Sequence, residues 1–221
     1  MSLVELIAQA DERGLAASGL ACLDRCVPLL GGDDDDVLRP LWTSLVDGDA
    51  WGERLAKARA DLGELGELEG SEDLDLGLDL GARAGSGSYS GSGSNPGTDS
   101  GTSPDHQAAL LARHMLATVP VEHSAAALRT WADDCSVAAL QIHGLLDIAA
   151  ADTSSSSVAA RREGRTDGMS PLVAAELRRQ IAILELLADR GEGGLRLVLG
   201  QSTEGRRVLR AVVSRRARGR T

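Results

Sequence analysis

Residues 128–149 read LRTWADDCSVAALQIHGLLDIA, and this run decides the fold class. Leu128, Trp131, Ala132, Cys135, Ala139, Ile142, Leu146 and Ala149 step by three and four. Arg129, Asp133, Asp134, Gln141 and Asp147 fall on the other side. A stripe of this period is the mark of an amphipathic helix, here more than 20 residues long, with Gly144 as a point of bending.

The segments around it carry helix signals of the same kind. Ser103-Pro104-Asp105 supplies an N-cap hydroxyl, a proline at the first helical position and an acid at the positive end of the dipole. Leu111, Ala112, Met115 and Val119 form the face of that helix, and Pro120 ends it. Ser170-Pro171 opens another, with a stripe of Val173, Leu177, Ile181, Leu184 and Leu187 and a stop at Gly191. Leu195 to Leu199 reads as either a short strand or a helical turn, and Ser202 or Thr203 caps a last helix reaching about Arg216.

Nearer the start, Ser2 and Glu5 have capping-box spacing, with Gly14 closing the first helix. A second helix fits Leu15 to about Val27, stopped by Pro28 and Gly31-Gly32. Pro40 marks a third start, and Asp49 is placed to cap a helix over Trp51–Leu62.

Between these helical parts lies a compositional break. Residues 63–81 are acidic and rich in leucine, and 82–105 hold six Gly and seven Ser in 24 residues. Such a tract buries too little apolar surface to offset its ordering entropy. As a flexible coil, 24 residues span roughly 27 Å between their ends. The reading is an all-α protein: an acidic helical module at 1–62, a disordered linker at 63–103, a helical domain at 104–216 with an internal polar loop at 151–169, and a basic tail at 217–221. The first module is small enough to need packing against the second half or a partner.

Composition narrows the function classes. Aromatic residues make up 2% of the chain: Trp42, Trp51, Trp131 and Tyr89, with no Phe. That is too few for a base-stacking platform on single-stranded nucleic acid. Lys57 is the one lysine beside 22 arginines, a ratio that fits a GC-rich, bacterial genome. It lies in Glu53-Arg54-Leu55-Ala56-Lys57, away from any glycine-rich phosphate loop. The start of the chain has no basic region before its short apolar run, so no secretory signal is expected. Cys22, Cys26 and Cys135 do not form the even set of a disulfide framework. A cytoplasmic location follows as the expectation.

No catalytic, metal or cofactor pattern stands out. Cys22 and Cys26 share a helix face but lack the further clustered ligands of a structural zinc site, and read as small buried hydrophobes. His106, His114, His123 and His143 include no pair at i, i+4 spacing. Asp47-Gly48-Asp49 begins like a calcium loop, but its twelfth position is Ala58 where the bidentate carboxylate belongs. No cofactor is expected.

Charge is the stronger signal. The net charge is −10, from 33 acids and 23 bases. Residues 1–81 hold 19 acids and 6 bases, whereas 205–221 hold seven arginines and no acid. Leu74, Leu76, Leu78 and Leu80 alternate with Asp73, Asp75, Gly77 and Asp79, the spacing of a docking segment that adds to a groove or sheet edge. Arg206, Arg207, Arg210, Arg215 and Arg216 complete the candidate partner-binding set. Their partner is expected to be an acidic protein surface, of another protein, of this chain's own N-terminal part or of a second copy. Binding to nucleic-acid phosphates or to an anionic membrane surface is the rival reading. The functional expectation is a non-catalytic adaptor or regulatory protein. The alternatives are a nucleic-acid-associated regulator and an enzyme with a site at His143 inside a helical bundle.

Overall fold

The computed structural model describes residues 1–31, 36–63, 103–147 and 154–219. Among them all regular structure is helical. In chain order the α-helices are α1 (Leu3–Gln9), α2 (Glu12–Cys26), α3 (Arg39–Asp47), α4 (Trp51–Gly63), α5 (Pro104–Ala117), α6 (Ala125–Leu146), α7 (Ser155–Arg162), α8 (Pro171–Arg190) and α9 (Leu195–Arg218).

The starts of these helices follow local chemistry. Ser2 and Glu5 form the reciprocal capping box, with Glu5 N–H donating to Ser2 Oγ at 3.3 Å and Ser2 N–H donating to the Glu5 carboxylate at 2.7 Å. Ser103 and Ser124 accept from the N–H groups of His106 and Ala127 at the heads of α5 and α6. Gly191 ends α8 at φ 52°, a backbone position that favours glycine. Gly14, however, does not close α1. It lies inside α2, where its N–H donates to the capping carboxylate of Asp11 at 2.7 Å.

α2 is the hub of the molecule. Every residue from Gly14 to Cys26 is buried, and α2 packs on α6, α8 and α9 as well as α3 and α5. A helix buried all round needs small residues for close approach, and α2 supplies Ala16, Ala17, Ser18, Gly19 and Ala21. Trp131 of α6 lies against Gly19, so close that a Cβ there would stand 2.5 Å from the ring. Its indole N–H donates to Met115 O of α5 at 3.0 Å. One hydrophobic core therefore joins residues from both sides of the compositional break.

α3 and α4 attach to this core at its edge. Arg59 of α4 donates to the carbonyls of Leu116, Ala117 and Val119, at and just past the end of α5. Trp51 donates from its indole N–H to Pro120 O at 2.8 Å.

Three further boundaries differ from the sequence reading. The polar loop expected at 151–169 contains α7, because Ser154 caps it by accepting from Ser157 N–H at 3.3 Å and Val158 is buried beneath it. Leu195 to Leu199 is neither strand nor isolated turn but the first part of α9, with Leu195 and Val198 buried. The basic tail expected at 217–221 is helical as far as Arg218. Residues 32–35, 64–102, 148–153 and 220–221, with most of the expected linker and Ala149 of the expected stripe, lie outside the described residues.

Candidate functional site

One cluster of buried polar groups lies where α2, α6 and α8 meet. Arg25 of α2 and Glu176 of α8 are both 0% exposed. Arg25 Nε donates to Glu176 Oε2 at 2.9 Å and Nη2 to Oε1 at 2.5 Å, a two-pronged pair. Gln180, one turn after Glu176, donates to Glu176 Oε1 at 2.9 Å. Gln180 Oε1 accepts from Ser136 Oγ of α6 at 2.7 Å. Ser136 Oγ in turn accepts from Arg162 Nε of α7 at 3.1 Å, and Arg162 pairs with Asp133. Four helices are stitched by this chain of contacts.

His143 of α6 borders the same cluster and is 1% exposed. Its Nδ1 lies 2.7 Å from Ala139 O, so that nitrogen carries the proton and donates. Its Nε2 is 3.5 Å from Glu176 Oε2. Burial lowers the His143 pKa below its ordinary value, although Glu176 pulls the other way. Burial alone would raise the carboxyl of Glu176. The guanidinium of Arg25, the neighbouring His143 and the hydrogen bonds from Arg25 and Gln180 outweigh it and hold the pKa at about 2. Burial pushes the Cys22 thiol up to about 12, and drives Cys26 and Cys135 well above the usual range. These thiols are closed to water and uncharged, which is inert chemistry for cysteine.

The arrangement suits structure better than catalysis. Glu176, the carboxylate beside His143, is already held by Arg25 and Gln180. Among the described residues no group of three or more His, Cys, Asp or Glu side chains is placed to hold a metal ion. An open groove of about 440 Å³ runs between Asp11-Glu12-Arg13 and Ser44-Leu45, with His123 on its wall. There Asp11 is engaged as the cap of α2, and His123 meets Trp51 edge to face at 4.5 Å.

The arginines picked out at the C-terminal end divide into two sets. Arg206 is 5% exposed and pairs through Nη1 with Asp24 Oδ1 of α2 at 2.9 Å. Ser202 donates to the other oxygen of Asp24 at 2.6 Å. Arg216 grips Asp105 of α5 at 2.8 and 3.3 Å and donates to Leu146 O. Arg206 is thus corrected from a surface contact to an interior one, because α9 turns it toward a buried acid. Arg216 is committed to holding the ends of α5 and α6. Arg207 and Arg215 face solvent, and Arg210 is half-buried. Leu74, Leu76, Leu78 and Leu80 lie outside the described residues.

Sequence reasoning missed Arg25, Glu176, Gln180, Ser136 and Arg162 as a group. A faint signal exists: Glu176 and Gln180 sit at i and i+4 among Val173, Leu177 and Leu184, on the buried face of α8. No helix among the described residues is long and apolar enough to cross a membrane. Comparison with protein-family models, with characterised proteins and with solved structures finds no match.

Proposed function

We propose that this chain is a non-catalytic, cytoplasmic interaction protein of the adaptor or regulatory kind, which docks an acidic protein surface on the outward face of α9. One observation carries the reading. Arg196, Arg207, Arg215 and Arg218 are exposed, and at 100° per residue they fall on one side of α9. From Arg196 to Arg218 that ridge is roughly 33 Å long at the helical rise. Glu204 is the acid that shares it, 3.8 Å from Arg207. The opposite side of the helix is fixed to the core by Leu195, Val198, Ser202, Arg206 and Leu209.

A rigid row of positive charge on a chain of net charge −10 favours oriented encounter with an acidic partner. Exposed Leu197 adds an apolar contact beside the row. The three buried cysteine thiols suit a reducing compartment.

The test is fluorescence anisotropy of the full chain with labelled poly-glutamate and with labelled duplex DNA. Binding to poly-glutamate that is lost in the Arg207→Glu/Arg215→Glu double variant supports the reading. Tighter binding to DNA through the same arginines would replace it with a nucleic-acid role. Binding to neither probe would remove it.

A further inference from the structure

The arginine ridge of α9 meets a groove at its N-terminal end. Arg196 is both the first arginine of the ridge and part of the wall of an open groove of about 280 Å³ between α3 and α9. The apolar lining is Trp42 and Val46 of α3 with Leu195 and Leu199 of α9. Trp42 and Leu195 are buried and Leu199 is half-buried, whereas Val46 is 58% exposed. The volume falls short of the roughly 300–1,000 Å³ of a small-molecule pocket, and suits an inserted aliphatic side chain better than a cofactor.

Charge is arranged unequally around the groove. Asp47 stands on the α3 wall, where Arg39 pairs with Asp36 at 2.9 Å. Arg196, on the α9 wall, is exposed and makes no ion pair among the described residues. A carboxylate is therefore drawn to the α9 side and repelled by Asp47, and an apolar side chain fits between the two walls. Ion pairs between exposed groups are weak and are screened by salt. Burial of an aliphatic anchor adds affinity that salt does not remove. A second copy laid α9 against α9 would set arginine against arginine, which disfavours that contact.

The geometry points to a two-part docking site for an acidic segment of another protein. Its carboxylates lie along Arg196, Arg207, Arg215 and Arg218, and a large aliphatic residue at one end of the acidic run seats in the groove beside Val46. This rests on the reading of α9 as an acid-binding face, and adds the anchor that selects among acidic partners.

Labelled dodecaglutamate, which extends to about 40 Å, is long enough to follow the ridge. It is compared with the same peptide capped by Leu-Leu at either end, by fluorescence anisotropy on the full chain at low and at physiological salt. One capped form should bind about tenfold tighter than the plain peptide and hold on as salt rises. Val46→Gln puts a polar, uncharged side chain in the groove at an exposed position. It should remove most of that gain and leave dodecaglutamate binding unchanged. Equal affinity of capped and plain peptides overturns the anchor and leaves the acid-binding face standing, as does a gain that Val46→Gln leaves intact. Binding of neither peptide overturns both. If the capped peptide binds only after Leu74, Leu76, Leu78 and Leu80 are changed to Ser, the chain's own segment is the occupant and the assignment to another protein is overturned. A dimer in sedimentation that Val46→Gln dissociates makes a second copy the occupant, with the same consequence.

Discussion

Arg25 and Glu176 form a two-pronged ion pair with neither side chain reaching water, and they join α2 to α8 across 151 residues of sequence. Two charges removed from water are stable there because each meets the other and the spare oxygen lone pairs meet Gln180. Breaking such a pair is harsher than deleting it whole. Glu176→Leu alone should cost about 3–5 kcal/mol by leaving Arg25 charged and buried. The double variant Arg25→Met/Glu176→Leu should recover most of that loss. Urea unfolding of the two single variants and the double variant checks the cycle.

The same cluster sets an acid limit on stability. Unfolding frees Glu176 from a pKa of about 2 to its ordinary 4.5, so its contribution is present above 4.5 and fades as pH falls toward 2. His143 acts in the same direction from a higher pH. Unfolded, it takes a proton near 6.5, while the folded ring resists protonation until lower pH, so stability falls as pH drops below 6.5. Asp134, raised chiefly by burial, opposes this weakly from its half-exposed position. Thermal midpoints across pH should decline in two stages, and His143→Gln should remove the first.

Glycines on helices separate by what they touch. Gly19→Ala drives a methyl group into the Trp131 ring and should destabilise by about 1–3 kcal/mol, reduced by the better helix propensity of alanine. A Cβ on Gly200 of α9 would meet open space, with nothing within 4 Å, so Gly200→Ala should stabilise by up to about 1 kcal/mol. Denaturation midpoints of the two variants should move in opposite directions.

Thiol chemistry reports on the core. Cys22, Cys26 and Cys135 are all buried, and burial raises each pKa. Iodoacetamide should leave all three unmodified in the folded chain and label all three in urea, read by mass spectrometry.

Much of the fold is legible because it is written locally. The Ser103-Pro104 and Ser170-Pro171 starts, the Gly191 stop and the stripe of α6 each specify a helix from neighbours in sequence. α2 is harder to read, since a helix buried on every side has no polar face to give its period. α7 hides in a serine run whose first member is its cap and whose one buried aliphatic residue is Val158. The polar cluster is hidden for another reason. Arg25, Ser136 and Glu176 look like ordinary solvated residues until tertiary packing brings them together. The arginines of α9 are visible as a charge block, yet only the helix phase tells Arg206, turned inward to Asp24, from Arg207, turned out.

The central claim is that residues before and after segment 64–102 make one cooperative core, with α2 enclosed by α6, α8 and α9. The direct measurement is to insert a site-specific protease sequence within that segment, cleave it, and follow the two pieces. The account predicts that they elute together on size exclusion and unfold in a single transition by circular dichroism. Fragments that separate without denaturant, or that unfold in two independent transitions, would contradict it.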